Sequence, residues 1–182
     1  LRETERSIPI EARVEKENFM TDIYRFLDEN GIDYQRVDHP AVCTAAEANR
    51  LVPELPGEKT KNLFIRDAKG KRHFLVVVPA EKQVDLKGLK EVLGTTKLGF
   101  ASAGRLMRYL GVEPGAVTLL GVVNDAERAV EVVVDAALWE ADAIQSHPLV
   151  NTATLVLPRE SVRRFLAAAG HEARVATIPK RV

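Results

Sequence analysis

The stretch that most constrains the fold runs from Thr60 to Asp67, Thr-Lys-Asn-Leu-Phe-Ile-Arg-Asp. Leu63, Phe64 and Ile65 form an unbroken apolar run of high β-propensity, the pattern of a strand covered on both faces. Asp67-Ala68-Lys69-Gly70 then turns the chain into a second apolar strand over residues 72–78, with glycine closing the turn. A hairpin of two such strands excludes an all-parallel sheet and needs cover above and below.

Around it, short strands and short helices alternate. Phe19, Ile23, Phe26 and Leu27 recur at helical spacing and predict a helix over residues 18–30, stopped by Gly31. Residues 34–37 read as a strand ended by His39-Pro40. Thr44-Ala45-Ala46-Glu47 reads as a capping box opening a helix to about residue 51. Pro53, Pro56 and Gly57 make a loop into the central strand. Asp85 is placed to cap a helix over residues 86–93 closed by Gly94. Ser102 is placed to cap another that contains Leu106, Met107 and Leu110 and ends at Gly111. Strands are expected at 98–101, 117–123, 130–134, 152–157 and 174–178, with a short helix from Asp135 through Trp139 and a long one over 160–169 before Gly170. The pattern predicts a single α/β domain over residues 20–182, with a mixed, partly antiparallel central sheet flanked by helices. Residues 1–19 read as an N-terminal tail or extension.

The 182 residues, 46% hydrophobic and 29% charged, suffice for one sizeable core. Formal net charge is zero, so any nucleic-acid contact must come from a local patch. Lys59, Lys61, Arg66, Lys69, Lys71 and Arg72 supply one along the hairpin against Glu58 and Asp67, whereas residues 125–142 are acidic apart from Arg128. Cys43 is the only cysteine, which excludes an internal disulfide or a multi-cysteine zinc site and suits the cytoplasm. No apolar run approaches the roughly 20 residues of a membrane span, so no membrane partner is expected.

Metal and cofactor chemistry is not called for. His39, His73, His147 and His171 stand far apart, no glycine-rich segment joins a strand to a helix, and no serine sits in a nucleophile elbow. Cys43 has no basic neighbour to lower its pKa and reads as inert. What remains is a polar constellation on three stretches. These are Lys61-Asn62; residues 111–118, where Gly115 allows close backbone approach; and residues 146–154, where His147, restrained by Pro148, leads into a strand through Asn151 and Thr152. By spacing alone, Lys61 is a solvated lysine at a strand entrance and His147 a loop histidine bonded to backbone. Thr44 and Ser102 are natural helix caps.

Together, Lys61-Asn62-Leu63-Phe64-Ile65-Arg66-Asp67, Arg72-His73-Phe74-Leu75-Val76-Val77, Phe100-Ala101-Ser102, and His147-Pro148 with Asn151-Thr152-Ala153-Thr154 resemble the YbaK/prolyl-tRNA-synthetase-associated editing domain family. Within it, they are most similar to the freestanding prolyl-tRNA editing proteins of the PrdX (ProXp-ala) type. The likeness covers residues 20–178.

The resemblance implies a cytoplasmic trans-editing deacylase that clears Ala-tRNA(Pro), a second and smaller sieve behind a synthetase pocket that admits alanine. It implies water attack on the aminoacyl ester without a metal or a covalent intermediate. Lys61 would anchor the terminal nucleotide and Asn62 would hydrogen-bond near the ester. His147 would shape the aminoacyl pocket, with Asn151 and Thr152 behind it and Thr44 and Ser102 at its wall. Backbone amides near Gly115 would hold the carbonyl oxygen. Lys59, Arg66, Lys69, Lys71 and Arg72 would follow the acceptor end of tRNA(Pro), and prolyl-tRNA synthetase or an elongation factor are further candidate partners. The chain departs from the family pattern at Gln145, where glycine is expected, and at Leu119, where proline is common. Both departures bear on pocket shape. Clearance of cysteine or serine, and a non-catalytic tRNA- or synthetase-binding module, stay open as alternatives.

Overall fold

Two apolar faces on one sheet organise the chain. The computed structural model describes residues 21–41, 50 and 52–181. Strands β1 (Gln35–Asp38), β2 (Glu58–Asp67), β3 (His73–Pro79), β4 (Leu98–Phe100), β5 (Val130–Asp135), β6 (Ala143–Ser146), β7 (Ala153–Pro158) and β8 (Ala173–Ala176) form one mixed sheet. The order is β1-β7-β6-β2-β3-β5-β8, and β4 pairs with β2 off that path. The β2–β3, β2–β4, β1–β7 and β6–β7 pairs are antiparallel, and β2–β6, β3–β5 and β5–β8 are parallel. The helices are α1 (Ile23–Glu29), α2 (Leu86–Leu93), α3 (Ala103–Leu110), α4 (Ala136–Trp139) and α5 (Arg159–Ala168).

Side chains alternate across a strand, and the core divides accordingly. Phe64, Leu75, Val77, Val132 and Val134 bury against Leu27, Leu110 and Phe165, which forms the larger core. Ile65, Phe74, Val76, Val78 and Val133 bury against Leu89 and Leu93 of α2 on the opposite face. The apolar runs of β2, β3 and β5 are continuous because each strand is covered twice.

The caps sit where the side chains predict them. Asp85, Ser102 and Asp135 accept backbone amides at the starts of α2, α3 and α4, and Gly94 and Gly111 close α2 and α3 with φ of 63° and 65°. Helix α1 begins at Ile23 behind Asp22, whose carboxylate accepts from the Tyr24 and Arg25 amides. The expected earlier start at residues 18–20, the helix opened by Thr44, and Cys43 lie outside the described residues.

Two expectations are corrected. Residues 117–123 do not form a strand. Leu119–Asn124 is a 3-10 helix capped by Thr118, with Leu119, Leu120, Gly121 and Val122 buried. A short apolar run buried on all sides carries no period that separates strand from helix. The second correction is β6, which went unpredicted because Ala-Ile-Gln-Ser has neither alternation nor a β-branched run. Its strand geometry comes from pairing on both sides, with β2 and β7.

Candidate active site

The sheet is interrupted beside Asn62. β6 pairs with β2 only at Glu58 and Lys59, and β4 only from Ile65 to Asp67. Lys59 and Asp67 bond toward β3, through Ala80 N–H to Lys59 O (2.9 Å) and Asp67 N–H to Arg72 O (3.1 Å), while Phe64 O accepts from Ala101 N–H (3.0 Å) on the other edge. Peptide groups alternate between the edges of a strand, so Asn62 turns its N–H and C=O toward the opening between β6 and β4. Its side chain falls on the face of Phe64, where Oδ1 is buried without a hydrogen-bond partner among the described residues. A buried, unpaired acceptor costs stability, which makes Asn62 a candidate for contact with a ligand.

Lys61 lies on the opposite face. Its Nζ donates to the Lys82 carbonyl at 2.6 Å, and Lys82 in turn donates to Asp135 Oδ2 at 2.5 Å and to Ile178 O at 2.9 Å. The sequence neighbours Lys61 and Asn62 therefore do not converge on one point; they stand on either side of the opening.

On the Asn62 face the rim is built by β6 and the loop after it. Thr60 Oγ1 donates to Gln145 O at 2.6 Å, which holds β2 to β6. The Gln145 side-chain amide shares its two protons among the carbonyls of Leu55, Pro56 and Gly57. In place of a glycine, the chain thus uses this side chain to fasten the loop entering β2. Thr118 Oγ1 lies 2.7 Å from His147 O and 2.9 Å from Ser146 Oγ, and it accepts from Leu120 N–H. A hydroxyl has one proton; the carbonyl takes it, so Ser146 donates to Thr118. This fully satisfied, buried hydroxyl ties the Gly115 loop to the His147 loop. Thr118→Val is expected to cost about 1–3 kcal/mol by orphaning these groups, read as a lower urea midpoint at unchanged slope; an unchanged midpoint contradicts the bridge.

His147 donates from Nδ1 to Ala153 O (3.1 Å), which leaves Nε2 as the bare nitrogen. Its ring meets that of His39 edge-on at 6.4 Å between centroids. His39 is held by Pro40 O and Thr154 Oγ1, each at 2.9 Å, and by its own N–H on Thr152 O at 2.9 Å. Burial first, and then His39, push the His147 pKa below its ordinary 6.5, against the opposing Ala153 bond. The unfolded chain therefore takes up this proton before the folded one, and the stability tied to neutral His147 is lost as pH falls below about 6.5. Burial and the nearby Arg105 act on His73 in the same direction. The His147 imidazole is expected to titrate by NMR below 6.5, and a midpoint at or above that value contradicts the buried geometry.

The other predicted residues are dispersed. Ser102 caps α3 through the Arg105 amide, and two steps beyond the β4 ladder it stands opposite Leu63, at the far rim of the opening. Gly115 is in an exposed turn at φ 92°. Asn151 is half-buried and Thr152 exposed in the loop before β7. Thr44 lies outside the described residues. On the hairpin, Lys59, Lys69 and Lys71 are exposed. Arg66 bonds the carbonyls of Asp67 and Ala68. Arg72 is committed to Glu131 through two bonds of 2.7 and 2.8 Å and to the end of α2, so it serves the sheet. His39 was not singled out as a candidate, and Thr118 and Ser146 entered only as members of the 111–118 and 146–154 stretches. The repeated His-Pro dipeptide, His39-Pro40 and His147-Pro148, was the one sequence signal for His39.

The family model described as the aminoacyl-tRNA editing domain matches residues 39–165. The chain belongs to the aminoacyl-tRNA editing domain family. Its likeness to the prolyl-tRNA editing protein ProX of Acetoanaerobium sticklandii is 42% identity over 145 residues, covering 80% of this chain and 88% of that one. The zebrafish (Danio rerio) prolyl-tRNA synthetase associated domain-containing protein 1 is 34% identical over 165 residues, with 90% and 85% covered. The fold matches a crystal structure of a candidate trans-editing enzyme for prolyl tRNA synthetase with a TM-score of 0.66 at 22% identity, over 90% of this chain and 99% of that one. As a member of the family, the protein is an aminoacyl-tRNA editing enzyme with the mixed α/β fold of its structural neighbours. Among the described residues, no helix is long and apolar enough to cross a membrane.

Proposed function

We propose that the protein is a trans-editing deacylase that hydrolyses alanyl-tRNA(Pro). The observation that carries the reading is the opening in the sheet at Asn62, with an unpaired buried amide oxygen on one face and a lysine on the other. The acceptor end reaches the sheet on the Lys61 face, and its aminoacyl ester passes the β2 edge to the Asn62 face. Lys61 exchanges the Lys82 carbonyl for a phosphate or ribose oxygen of the terminal nucleotide, and Asn62 orients the aminoacyl group. Water adds to the ester carbonyl and the ribose oxygen departs, releasing alanine and free tRNA. Backbone amides at the opening stabilise the oxyanion. His147, kept neutral and fixed through Ala153, accepts a hydrogen bond at Nε2 and bounds the pocket, with Asn151, Thr152 and Ser102 around its rim. Lys59, Arg66, Lys69 and Lys71 follow the acceptor stem, the hairpin tip standing ~17 Å from Asn62 along the strand.

In this reading the Thr118 bridge, which ties two loops together, limits the space for the aminoacyl group, so that alanine is accepted and the cognate proline shut out. Single-turnover deacylation of alanyl-, cysteinyl-, seryl- and prolyl-tRNA(Pro) tests this. Alanyl-tRNA(Pro) is expected to be cleared fastest and prolyl-tRNA(Pro) spared. Faster clearance of the cysteinyl or seryl ester reassigns the substrate, and no clearance of any leaves a binding module.

A further inference from the structure

Among the described residues, Phe100, Val150 and Val175 are the large apolar side chains left exposed, and Phe100 is the most exposed at 62%. Phe100 and Val150 sit on elements that flank the opening beside Asn62, one on β4 and one in the His147 loop. An isolated exposed aliphatic needs no explanation. A phenylalanine held this rigidly does. Its backbone pairs with Ile65, the next residue donates to Phe64 O, and the one after caps α3. Directly paired residues share a face, so Phe100 stands on the face of Ile65 and Lys61, ~13 Å along β2 from Lys61. Leu98, two residues back on the same face, packs into the α2 core, whereas Phe100 overhangs it. Lys61 shares this face and Lys97 precedes β4, with the exposed lysines of the hairpin beyond. Arg105 and Arg108 belong to α3 on the opposite face, where Arg105 bonds His73 and Arg108 lies over Tyr109.

We propose that Phe100 is a stacking platform for an unpaired nucleobase of the acceptor end, on the route by which the terminal nucleotide reaches Lys61. This rests on the reading that the protein acts on an aminoacylated acceptor end. A rigid aromatic on a strand, beside an opening and on the face that carries Lys61, suits a single-stranded nucleic acid: the phosphates meet the lysines and the base meets the ring. Stacking is tolerant of base identity, so Phe100 adds affinity for unpaired nucleotides without choosing among them.

The test compares two RNA hairpins with the same acceptor stem, one ending in four unpaired 3′ nucleotides and one blunt. Wild type is expected to prefer the overhang RNA. Phe100→Ala is expected to weaken binding of the overhang RNA about tenfold and to leave the blunt RNA unchanged. Phe100→Trp is expected to keep the affinity and to change its fluorescence on binding the overhang RNA. If Phe100→Ala binds the overhang RNA as wild type does, the stacking role is overturned while the deacylase reading stands. If wild type binds neither RNA, that reading falls too. A change in sedimentation of Phe100→Ala with unchanged RNA binding would make Phe100 a contact between two copies of the chain and also overturn the proposal.

Discussion

Replacing Lys61 by alanine is expected to slow single-turnover deacylation of alanyl-tRNA(Pro) about 100-fold while the protein stays folded. The loss is the scale of one charge-assisted contact to the substrate, roughly 1.5–3 kcal/mol. The structural cost is confined to one half-buried bond among the described residues, that to the Lys82 carbonyl, a charge-assisted contact of about 1.5–3 kcal/mol at most. Lys82 keeps its own bonds to Asp135 and Ile178, so the link between the β3 end and the C-terminal segment survives. Lys61→Arg is expected to recover only part of the activity, since a planar fork does not fill the place of a compact ammonium. Unchanged turnover in Lys61→Ala would remove the lysine from the reaction and leave it a strut between β2 and the Lys82 turn.

Asn62→Leu is expected to move stability and activity in opposite directions. Among the described residues, Asn62 Oδ1 is buried and has no hydrogen-bond partner. An isosteric apolar side chain removes that burden and is expected to raise the unfolding free energy by about 1 kcal/mol. The same change removes the group that orients the ester, and single-turnover deacylation is expected to fall about 100-fold, comparable to losing a donor at an acyl-transfer centre. A residue kept at a cost to the fold is the mark of a site shaped for its ligand. If Asn62→Leu is less stable than wild type, the amide is structural and its unpaired oxygen has been misread.

Much of this was legible in the sequence, and the boundary is physical. The hairpin and its turn, the helices behind Asp85 and Ser102, and the glycine stops at Gly94 and Gly111 follow from local rules, and the structure keeps them. The 3-10 helix at Leu119–Asn124 and strand β6 were not legible, because both are decided by burial and pairing partners far along the chain. The site was half legible. Lys61 and Asn62 stood out as polar residues beside a buried run, but strand alternation sets them on opposite faces, and only the two partial ladders on β2 reveal the opening between. His39 and Thr118 gave little local signal. They join the candidate site because β1 pairs with β7 and the Gly115 loop packs on β6.

The central claim is that the acceptor end spans the opening in the sheet, nucleotide on one face and aminoacyl group on the other. A crystal structure with a short CCA oligonucleotide carrying alanine through a non-hydrolysable amide at its 3′ end tests it most directly. The alanyl group is expected beside Asn62 and His147, with Asn62 Oδ1 newly hydrogen-bonded. Lys61 Nζ is expected to have left the Lys82 carbonyl for an oxygen of the terminal nucleotide. An oligonucleotide bound wholly on one face of the sheet, with Lys61 still on Lys82 and Asn62 still unpaired, would contradict the account.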